Sequence, residues 1–310
     1  MTHLTLANGT PASRFAFGTM QWGGSASEAE SEALFEACRA AGITHFDTAV
    51  AYTDGAAETL LGQFAATDRA DLYIATKVAY AGGAGAANIA SQFDRCRRQL
   101  NMDSVDLLYL HRWDEDTPLE ETFETMAQMQ ADGQIRHIGV SNYAAWQVMK
   151  AQAVCAKLGT RIDALQPMYN LVKRQAEVEL LPMAMDQDIL VAPYSPLGGG
   201  LLSGKYAAGG SGRLKEDDRY AARYAPPEMF EAAAGLARIA AELDMHPATL
   251  AVAWVAAHPA HVSPIISARS VAQLAPSLAA IGTTLEPELY ARLTALYPTP
   301  APATDRLEEA

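Results

Sequence analysis

Eight short apolar runs recur along the 310-residue chain, and longer stretches of helical periodicity separate them. The runs are RFAFGTM (14–20), THFDTA (44–49), DLYIATK (71–77), VDLLYLH (105–111), IRHIGVS (135–141), ALQPMYN (164–170), ILVAPYS (189–195) and PIISAR (264–269). Their apolar residues are continuous rather than alternating. Such a strand is buried on both faces, which happens when it pairs in parallel beneath helices. The helical stretches cover 27–41, 88–100, 119–131, 143–158 and 176–187, with another in TDGAAETLLGQF (53–64). Several stop at glycine: Gly42, Gly62, Gly133 and Gly159.

Eight strand–helix units in about 280 residues predict a (β/α)8 TIM barrel, a single α/β domain over residues 1–310 with a frayed tail from about 298. A doubly wound open sheet is the alternative. It usually carries a glycine-rich turn after the first strand, and FGTMQWGG lacks the G-x-G-x-x-G spacing. One interval breaks the rhythm. Residues 198–227 are glycine- and charge-rich and too long for a plain βα loop, which predicts a mobile or functional segment.

The formal net charge of −13 argues against nucleic acid or an anionic membrane as the main partner. The longest apolar run, 250–257, is too short to span a bilayer. Cys38, Cys96 and Cys155 are unclustered. The spacing of Cys38 and Cys96 to apolar neighbours puts both on buried helix faces, as free thiols. With no basic-then-apolar leader pattern, a soluble cytoplasmic protein is expected.

The polar residues at the strand ends are more specific. Asp47, Lys77, His111, Ser141 with Asn142, Gln166, Tyr194 with Ser195, and Arg269 each close a run. In a parallel barrel those ends share one face, the face that carries active sites. Each has a bland explanation alone: a cap, a solvated end, a satisfied buried histidine. One converging site explains them together. Asp47 and Lys77 lie on adjacent strands and can pair, which makes burial of either tolerable. Tyr52, in the loop after Asp47, reaches over the same mouth. A nearby ammonium is expected to pull its pKa below about 10 and make it a general acid. His111 can donate a hydrogen bond to a substrate oxygen.

These segments resemble the aldo-keto reductases, NAD(P)H-dependent enzymes on a (β/α)8 barrel. GITHFDTAVAY resembles the family's Asp-and-Tyr segment, YIATKV its lysine strand and DLLYLHRWD its histidine strand. IRHIGVSNY, QPMYN and VAPYSPLGGGLLSGKY resemble its cofactor-binding strand ends. The resemblance covers about residues 10–285 and implies a tetrad of Asp47, Tyr52, Lys77 and His111 acting on a small-molecule carbonyl. It implies that Ser141, Asn142 and Gln166 bond the nicotinamide carboxamide and that Tyr194 stacks on its ring. Gly18, Thr19 and Met20 would line the reactive end, and Ser195, Leu197, Gly199 and Lys205 the pyrophosphate. Arg269 and Gln273 would meet the adenosine ribose and its 2′-phosphate, which favours NADP(H) over NAD(H).

The chain departs from the family pattern at Ile266 and Ser267, where Pro or Gly is frequent, at Ser277, where Asn is usual, and at Ala57, where Ser is common. The shorter Ser277 is expected to lose an adenine contact. Trp22 and Trp113 lie in loops beside the tetrad and are expected to wall an apolar substrate pocket. Two other readings compete. One is a metal-dependent barrel hydrolase using His45, Asp47, His111 and His137, although no two histidines have paired ligand spacing. The other is a non-catalytic nicotinamide-binding regulatory subunit of a membrane complex. Neither the substrate nor the oligomeric state is legible.

Overall fold

A computed structural model describes residues 4–206, 209–306 and 308. All eight expected runs contain a strand: β1 (Ala16–Gly18), β2 (His45–Asp47), β3 (Tyr73–Val78), β4 (Val105–Leu110), β5 (Ile135–Ser141), β6 (Ala164–Gln166), β7 (Leu190–Val191) and β8 (Ile265–Ile266). They form one parallel sheet in the order β7-β6-β5-β4-β3-β2-β1-β8. Two further bonds close the ring between its ends. The Ser263 amide donates to Val191 O at 2.7 Å and the Ile265 amide to Pro193 O at 2.9 Å. β6 and β7 are shorter than their apolar runs because Pro167 and Pro193 follow them and lack the donor that a ladder needs.

Helices α1 (Glu28–Ala40), α2 (Ala56–Phe64), α3 (Ala86–Leu100), α4 (Leu119–Ala131) and α5 (Ala145–Lys157) follow β1 to β5, α2 sitting beyond the β2 loop. A capping box starts α1, with Ser27 and Glu30 satisfying each other's backbone amides. The expected helix over 176–187 is only α6 (Leu180–Asp186), after a 3-10 turn at Gln175–Glu177. Pro182 fits the late start, because it then falls in the first turn of α6, where a helix has no use for the missing N–H. Beyond β7 lie a 3-10 stretch at Gly198–Ser203, α7 (Arg213–Glu216), α8 (Asp218–Arg223), α9 (Pro227–Glu242) and α10 (Pro247–Ala256). α11 (Val271–Ala279) and α12 (Pro287–Thr294) complete the order. Residues 298–306 carry neither helix nor strand.

The strands' alternate side chains feed two cores. Outward residues pack under the helices in one large cluster that includes Ile74, Leu108, Val140 and Leu165. Inward residues Tyr73, Ala75, Leu107, Tyr109 and Ala164 fill the barrel, and Leu4 and Leu6 plug them from below. Gly62 lets α2 approach α3, since a Cβ there would lie 2.2 Å from Leu100 O. The apolar run at 250–257 is α10, buried along almost its whole length. Among the described residues no helix is long and apolar enough to cross a membrane. Cys38, Cys96 and Cys155 are all buried free thiols.

His45 points into the barrel, 1% exposed, with its ring edge-on to Tyr73 at 5.0 Å and no partner for Nε2. Burial pushes its pKa from 6.5 down to about 4, against the pull of Asp47 and Asp106. The folded value lies below the unfolded one, so the unfolded chain binds the proton first as pH falls. The associated stability is complete above pH 6.5 and is lost on descending towards 4, by at most about 1.4 kcal/mol per unit. Urea midpoints should therefore decline across that window, and more shallowly in His45→Asn. An equal slope in the variant would remove His45 as a cause.

Candidate active site

The strand register places the site. Asp47 ends β2, beside Gly18 of β1 and Ala75 of β3, and Lys77 lies one inward position further along β3. Lys77 is 0% exposed and Asp47 3%. The Lys77 ammonium donates to Asp47 Oδ1, to Thr48 O at 2.7 Å and to the Tyr52 hydroxyl at 3.3 Å. The other Asp47 oxygen accepts from Gln166 Nε2 at 2.8 Å. All three ammonium hydrogens and both carboxylate oxygens therefore have partners, the condition under which a buried pair is tolerable.

Tyr52 is held there by a strained loop. Thr53 and Asp54 have φ of 47° and 54°, a conformation that non-glycine residues adopt only when their surroundings impose it. Thr53 Oγ1 donates to Trp22 O at 2.8 Å and accepts from the Ala57 amide at 3.0 Å. Arg95 donates to Asp54 O at 3.1 Å. Arg95 also donates to the Gln99 carbonyl oxygen at 2.9 Å, and the Gln99 amide nitrogen donates to Glu58 at 2.6 Å, an orientation assigned from these neighbours. Glu58 in turn accepts from Thr76, the residue before Lys77. A hydrogen-bonded chain thus ties the Tyr52 loop to the Lys77 strand.

His111 follows β4. Its ring stands edge-on to Tyr52 at 5.9 Å and lies 5.0 Å from Tyr80. Burial, then Lys77 and Arg112, push its pKa from 6.5 down to about 3, so the imidazole is neutral at neutral pH. The Tyr52 value corrects an expectation. Its pKa lies above 10, not below: burial disfavours the phenolate more than Lys77 favours it, and Asp47 adds to the upward push. Lys77 itself is raised. Burial would lower it, but Asp47 and Tyr52 together outweigh that. The arrangement is a neutral phenol backed by an ammonium and flanked by a neutral imidazole. It can hydrogen-bond a carbonyl oxygen from two sides and give it a proton.

These groups open into a cleft of about 910 Å³. Gly18, Met20, Ser141, Asn142, Gln166, Tyr194, Ser195, Leu197, Gly199, Lys205, Arg269, Gln273 and Ser277 all line it with Asp47, Tyr52 and His111. Thr19 and Lys77 lie just beneath, fully buried. Ser141 Oγ donates to Gln166 O, Asn142 donates to His111 O and Ser141 Oγ, and Tyr194 OH donates to Asn142 Oδ1 at 2.7 Å. Asn142 and Ser195 take positive φ, 58° and 59°, which turns both strand ends over the mouth.

The two tryptophans are corrected. Trp22 is 0% exposed and packs among Phe17 and Phe46 of the strands and Phe64 of α2, which bury its ring inside the fold and not at the mouth. Trp113 stands edge-on to Tyr143 and Trp146 and lines a separate hollow of about 520 Å³. Sequence reasoning missed Tyr80, Arg112, Arg213, Arg219, Tyr220 and Arg223, all in the cleft wall. The last four come from the irregular 198–227 segment, which folds over the mouth. Its run DDRYAAR was the available signal. Ala207 and Ala208 of that segment lie outside the described residues. Of the proposed metal set, Asp47 is engaged by Lys77 and Gln166, and His137 Nδ1 lies 3.6 Å from Asp163. Among the described residues no three His, Cys, Asp or Glu side chains converge on a metal position.

A closed parallel barrel with a buried Lys–Asp pair against a tyrosine hydroxyl, opening into a long polar cleft, defines a nicotinamide-dependent barrel oxidoreductase. The chain belongs to the Aldo/keto reductase family, whose family model matches residues 14–298. It is 30% identical over 319 residues to an uncharacterized oxidoreductase, YrpG, of Bacillus subtilis (strain 168), covering 96% of this chain and 95% of that one. It is 32% identical to a probable voltage-gated potassium channel subunit beta of Oryza sativa subsp. japonica, over 93% and 94% of the two chains. It is 35% identical to aflatoxin B1 aldehyde reductase member 2 of Rattus norvegicus, over 61% of this chain and 53% of that one. The family activity is carbonyl oxidoreduction with a nicotinamide cofactor.

Removing one partner of a buried pair strands the other charge. Lys77→Met should destabilise the fold by about 3–5 kcal/mol, and adding Asp47→Asn should recover most of the loss. Chemical denaturation of both variants checks this. A double variant as unstable as the single one would mean that packing, not the stranded carboxylate, sets the cost.

Proposed function

We propose that the protein reduces an aldehyde or ketone to the alcohol with NADPH, or runs the reverse oxidation, with Tyr52 as the proton donor and acceptor. The Tyr52–Lys77–Asp47 contact at the foot of the cleft carries this reading. The raised Tyr52 pKa keeps the phenol protonated throughout the neutral range, so it can donate on every reductive turnover. The neutral His111 orients the carbonyl oxygen without competing for the proton. Nicotinamide, when bound, supplies or receives the hydride.

The cleft residues fit that cofactor. Asn142 Oδ1 accepts only Tyr194 OH and keeps a lone pair for a carboxamide N–H. Tyr194 offers a ring at the adjoining strand end. Gly199 and Gly200 have φ of 65° and 97°, and a Cβ on Gly199 would strike Tyr220 at 2.8 Å, so their bareness leaves the passage open. At the far end Lys205 and Arg269 line the cleft beside the first turn of α11, whose amides and dipole favour an anion. Arg269 also faces Glu216, at 3.9 Å and partly exposed, a pair too long and too wet to hold it strongly. Its guanidinium is therefore available to a 2′-phosphate as a bidentate fork. Ser277 lines the same end, and its short side chain offers an adenine less than Asn would. The buried free thiols support a reducing, cytoplasmic setting.

A second reading is a nicotinamide-binding regulatory subunit, favoured by the likeness to potassium channel beta subunits. Turnover of a generic aldehyde separates the two.

Tyr52→Phe keeps the ring and removes the donor. It should cut kcat by about 10²–10⁴ while cofactor still binds. Near-normal kcat would refute the assignment. In Lys77→Met the alkaline limb of the kcat profile should move to higher pH, since the ammonium that lowers the Tyr52 value is gone. Dissociation constants for NADPH and NADH test the cofactor. Wild type should prefer NADPH by about tenfold to a hundredfold, from one or two charged hydrogen bonds, and Arg269→Ala should lose most of that. Equal binding by wild type, or an undiminished preference in the variant, would reject Arg269.

A further inference from the structure

The reductase reading leaves one group at the substrate end without a task. The chain is strongly acidic, yet among the described residues its main cleft is lined by six cationic side chains and one carboxylate, Asp47, which already holds Lys77. The six divide by position. Lys205, Arg213 and Arg269 influence one another's surroundings near Glu216, at the end assigned to the adenosine phosphate. Arg219 is clamped by Asp217, with contacts of 2.8 and 3.1 Å. Arg223 lies over the ring of Tyr220 at 5.1 Å.

Among the described residues Arg112 and Arg223 are alike in being held only by an aromatic face; Arg112 is the one that adjoins His111 in the chain. It directly follows His111 and lies 5.3 Å from the Tyr80 ring centre, and Tyr80 is 5.0 Å from the His111 ring. Tyr52, His111, Tyr80 and Arg112 thus form one continuous wall, with the guanidinium at its outer edge. Among the described residues Arg112 has no hydrogen bond and no ion pair; its contact is the Tyr80 ring face. Asp114 is the carboxylate that feels its charge. Asp114 is engaged elsewhere, accepting from the Ala84 amide at 2.6 Å, Thr117 Oγ1 at 2.6 Å and the Asp116 amide at 3.1 Å. The aromatic face restrains the fork, so less conformational freedom is lost when it binds. A planar guanidinium with open donors, beside the proposed proton donor, is complementary to a carboxylate.

We propose that the substrate is a carbonyl compound that also carries a carboxylate, and that Arg112 receives the carboxylate while Tyr52 and His111 hold the carbonyl oxygen. This rests on the reductase reading and adds a substrate class to it. The chain is net negative while its cleft is lined by cations, so these would guide such a substrate as well as bind it.

The test uses two aldehydes of nearly equal shape, 4-formylbenzoate and 4-formylbenzamide, which differ in charge. With wild-type enzyme and saturating NADPH, kcat/KM for the benzoate should exceed that for the benzamide by about tenfold or more, mainly through KM. The ratio should shrink as ionic strength rises. Arg112→Gln should reduce it about tenfold, and Arg112→Lys should retain part of it, because the charge remains while the fork and stacking are lost. Equal kcat/KM values in wild type, or an unchanged ratio in Arg112→Gln, overturn the proposal and leave the reductase reading intact. Turnover of neither aldehyde by cofactor-bound enzyme overturns both.

Discussion

The buried contact between Lys77 and Asp47 is the constraint on which the rest of the site depends. Neither charge could sit inside a barrel unpaired, and the pair is stable there only because Thr48, Tyr52 and Gln166 satisfy its remaining hydrogen-bonding positions. That requirement brings together residues from β2, β3 and β6 and the loop after β2. It also explains the strained backbone at Thr53 and Asp54. The loop can hold the Tyr52 hydroxyl over Lys77 only by turning sharply, and Trp22 O, Arg95 and the Glu58 hydrogen bonds keep it turned.

The same pair sets the electrostatics of the mouth. The ammonium helps to keep His111 neutral, and it opposes, without reversing, the upward shift that burial imposes on Tyr52. A phenol that remains protonated beside a neutral imidazole suits donation to an oxygen. Further out, the cleft changes character. Its floor is strand ends with closed hydrogen-bond networks. Its walls and roof come from loops and from the short helices α7 and α8, and several of these residues are cationic.

Much of this was legible in the residues. Eight continuous apolar runs, nearly every one with a polar residue at its C-terminal end, imply parallel strands whose ends share a face, and Asp47, Lys77, His111, Ser141, Gln166 and Tyr194 do meet there. A strand's period of two puts His45 and Asp47 on one face, and the structure shows that face to be the inward one. The sign of the Tyr52 shift was not legible, because it depends on how much solvent the phenol loses relative to how strongly Asp47 already neutralises Lys77. Trp22 was misplaced for a related reason. A loop position does not reveal whether the chain turns its side chain outward or, as at Gly23 and Gly24, inward against Phe17, Phe46 and Phe64.

By itself the sequence determined the eight-stranded barrel and put Asp47, Lys77 and His111 at strand ends, since apolar runs and strand direction are local properties; grouping them with Tyr52 as a tetrad is what the resemblance to the aldo-keto reductases implies. Only the tertiary structure decided the roof. Residues 198–227 have no period from which to read a position, and Arg213, Tyr220 and Arg223 reach the cleft only because the segment folds back across strands far from it in the chain. Arg112 shows the same limit. Its neighbour His111 is fixed by the strand, but its own direction is set by the face of Tyr80, contributed by the loop after β3 and invisible until the two meet.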